Sequence, residues 1–162
     1  MRSVLLIASC AGVLWGCAGV KPPAVHVTGT TLRERAPDAA VLDVVLDVDN
    51  TGADALPLRD VHYSVWLADR LVFQGTRSAA STAAAFSRCS IVLPASVAGG
   101  VAASGTPITV RGEVFYDSPR VLARTMAEAG VSSPSVTFSH EGSVDLAVVA
   151  PAPRGTARTP VR

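Results

Sequence analysis

Between Val41 and Asp49 the chain alternates without a break: Leu42, Val44, Leu46 and Val48 fall on one side, Val41, Asp43, Val45, Asp47 and Asp49 on the other. Successive strand side chains point to opposite faces, so this pattern predicts a half-buried β-strand and rules out an amphipathic helix. The period returns at Val61, Tyr63, Val65 and Leu67, set against His62, Ser64 and Trp66. A short turn at Ala68-Asp69-Arg70 then leads into Leu71-Val72-Phe73-Gln74-Gly75, which reads as a hairpin. Further runs at 25–32, 86–94, 107–117, 134–140 and 143–149 bring the expectation to about eight short strands, the pattern of an all-β antiparallel sandwich.

One segment departs from period two. Ser118-Pro119 precedes Arg120 to Ala129, and Gly130 follows. Serine as N-cap, proline at the first helical position and glycine after the last predict one short helix. Val121, Leu122, Thr125 and Met126 would share its apolar face, so the expectation is a helix capping an open end of the sandwich.

The N-terminus has a different logic. Arg2 is followed by an apolar run of about eleven residues, the organisation of a secretory signal, and shorter than the roughly 20 residues that span a bilayer. Leu14-Trp15-Gly16-Cys17 resembles the bacterial lipobox, which would make residues 1–16 a signal peptide and Cys17 the lipidation site. Trp15 departs from the small residue usual before the last position. A retained membrane anchor and ordinary cleavage near Ala18 are the alternatives. Ala18 after the cysteine resembles the sorting pattern for the outer membrane, with the domain on its periplasmic side. Residues 17–24, with Lys21-Pro22-Pro23, read as a lipidated tether. Residues 25–149 form the domain, and 150–162, rich in Pro, Arg and Thr, read as a disordered tail.

Charge and cysteine count narrow the function. The 162 residues carry 14 Lys+Arg and 13 Asp+Glu, and losing Arg2 with the signal would leave the mature chain balanced. A nucleic-acid partner is therefore not expected. Cys10 would leave with the signal and Cys17 would be acylated, so Cys89 could find no internal disulfide partner. Cys89, Ile91 and Leu93 alternate onto one face, which predicts a small buried hydrophobe.

The stretch from Val41 to Val97 carries Leu46-Asp47-Val48-Asp49-Asn50-Thr51-Gly52, then Leu56-Pro57-Leu58 and Val61-His62-Tyr63. Gly75 and Ile91-Val92-Leu93-Pro94 follow. This resembles the water stress and hypersensitive response (WHy) domain of the late embryogenesis abundant (LEA) type 2 family. In that family an Asn-Pro-Asn turn precedes Leu-Pro-Leu, a Val-x-Tyr strand, a glycine after the hairpin and a Val-x-Leu-Pro strand. Val110-Arg111-Gly112-Glu113-Val114 and Phe138-Ser139-His140-Glu141-Gly142 also look like bacterial members. The resemblance implies an immunoglobulin- or fibronectin-III-like sandwich associated with desiccation and stress, without enzymatic activity or cofactor. Asn50, Gly52, Leu56, Pro57, Leu58, Tyr63, Gly75 and Pro94 would be turn and core residues. Thr51-Gly52 stands where Pro-Asn is usual, and Gly52 is expected to supply a positive φ there.

A search for chemistry returns weak signals. His26, His62 and His140 fall on separate strands without ligand spacing, so no zinc site is expected. Asp47 to Asp54 resembles the start of a calcium loop, but Leu58 stands where a bidentate Glu is needed, so no metal is assigned. Asp43, Asp47 and Asp49 read as solvated charge, and Gly99-Gly100 as a turn. The sequence contains no Gly-x-Ser-x-Gly. Trp66 points outward, under a neighbouring loop or the tail, or free to anchor a partner. Two functions follow: a noncatalytic envelope protein in desiccation or envelope stress protection, or an accessory docking subunit of an envelope transport or assembly complex. The membrane, through the lipid, and an envelope protein are the partners these readings imply.

Overall fold

A computed structural model describes residues 21–98, 105–131 and 133–145. The expected signal peptide, Cys17, Gly99-Gly100 and the expected tail at 150–162 lie outside the described residues. Within them the chain forms β1 (Ala24–Arg35), β2 (Ala39–Asn50), β3 (Leu56–Leu67), β4 (Arg70–Ala83), β5 (Ser87–Ala98), β6 (Thr106–Tyr116), α1 (Val121–Glu128) and β7 (Ser135–Val144). The strands build one sheet in the order β1-β2-β5 and a second in the order β4-β3-β6-β7, all neighbours antiparallel. In the immunoglobulin constant scheme the fourth strand joins the sheet of the first. Here β4 stays with β3, giving a three-plus-four, fibronectin-III-like sandwich.

The alternation read from the sequence is the alternation of the sandwich. Leu42, Val44, Leu46 and Val48 on β2 face Val61, Tyr63, Val65 and Leu67 on β3 in one continuous core, completed by Ile91, Leu93, Val110, Val114 and Phe138. Cys89 packs against its margin, partly buried. The described residues hold seven strands in place of the expected eight or so: 134–140 and the start of 143–149 run together as β7, which pairs with β6 from Thr106↔Val144 to Phe115↔Ser135, and 146–149 lie outside the described residues. The arm begun at Leu71 runs on through Ser78-Ala79-Ala80-Ser81-Thr82-Ala83. That stretch shows no apolar period because an edge strand needs only an occasional inward residue, here Ala79 and Ala83.

Two glycines make room for aromatic rings. Gly75, Tyr63, Gly112 and Phe138 stand side by side across β4, β3, β6 and β7. A Cβ at Gly112 would lie 2.4 Å from the His62 carbonyl oxygen and 2.5 Å from the Phe138 ring. One at Gly75 would lie 2.8 Å from the Phe73 ring, which packs against Tyr63 with centroids 5.2 Å apart.

Three expectations are corrected. The helix starts at Val121, not Pro119: Arg120 is its extended N-cap residue, and the buried Ser118 hydroxyl accepts the Arg120 N–H two residues on, bending the chain before the helix begins. Of its expected apolar face Val121, Thr125 and Met126 are exposed, Ala123 and Ala127 are half-buried instead, and the Leu122 side chain lies outside what is described. The expected C-terminal signal holds: Gly130 takes φ +72°, and the Gly130 and Val131 N–H groups close on the carbonyls of Ala127 and Met126. The third correction concerns Gly52, which has no positive φ. The turn is held instead by a side chain, because the Asn50 Oδ1 accepts the Gly52 N–H at 3.0 Å.

Asn50 is 2 % exposed, and its amide nitrogen lies 2.8 Å from the Asp54 carbonyl oxygen, 3.0 Å from that of Ala83 and 2.9 Å from that of Ala84. Two hydrogens serve three acceptors, so at least one is shared. The partners belong to two of the connections that carry the chain between sheets, 51–55 from β2 to β3 and 84–86 from β4 to β5, and to Ala83 at the end of β4. A further bond from the Phe86 N–H to the Gly52 carbonyl, 3.0 Å long, joins the same two loops. Asn50→Ala would leave the buried Ala83 carbonyl and two partly buried ones without this donor, a loss of about 2–4 kcal/mol. Urea unfolding should show a midpoint lowered by roughly 1–2 M with an unchanged slope.

Candidate functional site

Two outward faces and two ends are available to a partner, and the residues singled out from sequence distribute among them. On the outer face of the β1-β2-β5 sheet the carboxylates of β2 are paired with bases from both neighbouring strands. Arg88 on β5 grips Asp49 with two nitrogens, at 2.6 and 3.0 Å, and lies 3.7 Å from Asp47. The Ser90 hydroxyl donates to Asp47 at 2.6 Å. Arg33 reaches Asp43 at 2.8 Å from a bulge in β1, where two residues, Arg33 among them, face one on β2. The other Asp43 oxygen, Oδ1, is buried without a hydrogen-bond partner. These acids are therefore cross-strand ion-pair partners, more than the solvated charge expected of them. The register that sets Asp49 opposite Arg88 depends on strand pairing that no local pattern carries.

The outer face of the four-stranded sheet is polar with aromatic margins. Thr76, His62 and Glu113 form one cross-strand row, and Gln74, Ser64 and Arg111 the next. They rim a shallow depression floored by the backbone of Gly75, Tyr63 and Gly112. The Arg111 guanidinium sits 5.7 Å from the centre of the Trp66 ring, so a neighbouring strand covers part of that outward tryptophan, while the tail lies outside the described residues. His62 lies against Phe115 with centroids 4.8 Å apart, and Ser135 donates to Glu113. Beside this row, a groove of about 420 Å³ runs under α1, lined by His62, Phe115, Arg59, Asp117, Arg124 and Ala127. Arg59 is held there by Asp117, its Nε 2.9 Å from both oxygens.

None of these arrangements lines up a nucleophile, a base and an orienting group. Among the described residues no set of three His, Cys, Asp or Glu side chains is grouped to hold a metal ion. His26, His62 and His140 stay apart, on β1, β3 and β7. Asp47 and Asp54 do not meet around a common centre: Asp47 is engaged with Ser90, and Asp54 offers its backbone carbonyl to Asn50.

The residues named from the family resemblance serve bracing. Asn50 and Gly52 hold the inter-sheet connections, and Leu56 and Leu58 are buried where β3 begins, on either side of the exposed Pro57. The Tyr63 hydroxyl, on the four-stranded sheet, donates to the Pro94 carbonyl on β5 of the other sheet. Burial pushes the Tyr63 phenol above its ordinary range. Because the Pro94 carbonyl meets Tyr63 and not β2, Pro94 turns its backbone to the free edge of β5. There a missing N–H costs nothing, and the edge offers one donor fewer to a foreign strand. Sequence reasoning could name these residues but had no signal for the bond between them.

The Arg88 hydrogen bonds hold the Asp49 carboxyl below the usual carboxylate range. A carboxyl so depressed in the folded state favours folding above its unfolded value, near 4, and loses that contribution as the pH falls. In Arg88→Gln the Asp49 pKa should rise toward the ordinary value, read by NMR titration of its carboxyl carbon.

No family profile and no curated protein matches this sequence. Solved structures do. A protein of Archaeoglobus fulgidus is 11% identical with a TM-score of 0.53, over 78% of this chain and 100% of its own. A solution structure from Arabidopsis thaliana is 14% identical with a TM-score of 0.59, over 82% of this chain and 89% of its own. A protein described as late embryogenesis abundant is 17% identical with a TM-score of 0.57, over 80% of this chain and 74% of its own. At such identities the likeness is one of fold, and it is the fold that the LEA resemblance implied.

Proposed function

We propose that this chain is a noncatalytic, lipid-anchored envelope protein of the LEA type 2/WHy kind, held by acyl chains on Cys17 and acting in desiccation or envelope stress through its surfaces. The observation that carries the reading is the closeness of anchor to fold. β1 begins at Ala24, so seven residues after the lipobox cysteine the chain is already in the sandwich. No described helix is long and apolar enough to cross a membrane. The family-type residues Asn50, Gly52, Tyr63, Gly75 and Pro94 brace the sandwich, which leaves its faces for contacts with neighbouring macromolecules. The polar row from Thr76 to Glu113, with Trp66 and Phe115 beside it, is the surface best suited to that task. Ala18 after the lipidated cysteine favours the outer membrane.

Two measurements test the reading. Cells fed radiolabelled palmitate should label this protein, and Cys17→Ser should abolish the label; persistent labelling would place the acyl chains on another residue. A labile enzyme dried with the mature protein should keep several-fold more activity than one dried with an equal mass of an unrelated sandwich domain. Equal losses would remove desiccation protection from the proposal.

A further inference from the structure

The sandwich has two unlike ends. One carries the β1–β2 turn at 36–38 and the β3–β4 turn at 68–69. The other gathers the start of β1, the 51–55 and 84–86 connections, and α1 with its flanks, since Ala24 stands opposite Asp49, Ser87 opposite Asn50, and Ser135 opposite Phe115. The N-terminal tether therefore enters at the end that holds the helix. From Cys17 to Ala24 an extended chain reaches at most about 25 Å. Lipid on Cys17 would keep this end close to the bilayer.

Among the described residues, exposed large apolar side chains concentrate there. Phe86 is 74% exposed, Val121 69%, Val131 66% and Met126 39%, and all four belong to this end. Of the remaining large exposed hydrophobics, Leu71 lies near the opposite end and Val92 midway along a face. Phe86 also holds a φ of 52°, a left-handed backbone that a bulky residue enters at a cost. Two of the cations at this end are paired, Arg88 with Asp49 and Arg59 with Asp117, while Arg124 and Glu128 of α1 and Asp54 are exposed beside the apolar side chains, placed to meet headgroups.

We propose that this end docks on the lipid surface, with Phe86 on one sheet's side and Val121, Met126 and Val131 on the other entering the acyl boundary. The inference rests on the proposed lipidation. The lipid limits how far the domain can stray, and the apolar loops fix which way it points, standing the sandwich upright with the 36–38 and 68–69 turns outward. Apolar residues at the interface plane contribute to attachment through the area they bury.

The test uses the chain as the cell processes it, reconstituted in phosphatidylethanolamine–phosphatidylglycerol vesicles with a fraction of brominated acyl chains. In the wild-type mature protein Trp66, on the outer face of β3 toward the outward end, reports the control. Phe86→Trp and Val131→Trp each add a reporter at the docked end. Their added emission should fall about twofold with brominated lipid and shift to the blue, while wild-type emission stays level. Intact mass of the same samples reads acylation separately. Acyl chains present with both added tryptophans unquenched would overturn the docking and leave the anchor standing. A protein without acyl chains would overturn both. Far-UV circular dichroism matching wild type qualifies each variant, and the two sites check one another.

Discussion

One amide side chain holds together what the two sheets would otherwise keep apart. A sandwich buries its core only if the strands of one sheet stay in register with those of the other, and no backbone ladder runs between them. Two connections, 51–55 and 84–86, cross the gap at the same end, and the Asn50 amide binds both while its carbonyl oxygen orders the turn that follows. A buried amide so engaged is stabilising only while every partner is present. Replacement by a shorter or apolar side chain would strand the carbonyls, which accounts for a polar residue at the end of an otherwise apolar face of β2.

The Tyr63–Pro94 bond is the second tie between the sheets, nearer the middle of the sandwich. It joins the inward face of β3 to the free edge of β5. Two of the other three edges are managed differently. β4 is bulged twice along its pairing with β3, with Ala80 at φ 45° in one bulge, and β1 is bulged twice against β2. Bulges twist an edge out of the flat geometry that a foreign strand would extend.

How much of this could be read from the chain depends on the range over which the deciding interaction acts. The alternation on β2 and β3 is local, so the strands, their buried faces and the sandwich class were legible, and so were the outward Trp66 and the Gly130 helix stop. The start of α1 was not, because Ser118 caps the preceding bend instead of the helix. The exposure of Val121, Thr125 and Met126 on α1 has another reason: an eight-residue helix at an open end has too little scaffold to bury a full stripe. Gly52 was assigned a conformation when the turn is dictated by the side chain two residues before it. The pairing of Asp49 with Arg88, and the gathering of Phe86, Val121, Met126 and Val131 at one end, come from register and topology. Those are set by contacts tens of residues apart in sequence.

Phe86 brings these strands of reasoning to one residue. The β4–β5 connection is only three residues long, Ala84 to Phe86, and it must cross between sheets while keeping the Ala84 carbonyl on Asn50 and the Phe86 N–H on the Gly52 carbonyl. Glycine would meet the required positive φ without strain, whereas a bulky residue held there costs of order 1–3 kcal/mol. Exposure adds to that cost, since the ring gains little of the burial that normally offsets an aromatic side chain. A residue that breaks two local rules together, with no compensation inside the fold, finds it most simply outside the fold. At the end where the tether emerges, the nearest apolar medium is the bilayer that would hold the Cys17 lipid. The geometry of a short connection thus turns an internal constraint, the Asn50 tie, into an outward-facing aromatic ring.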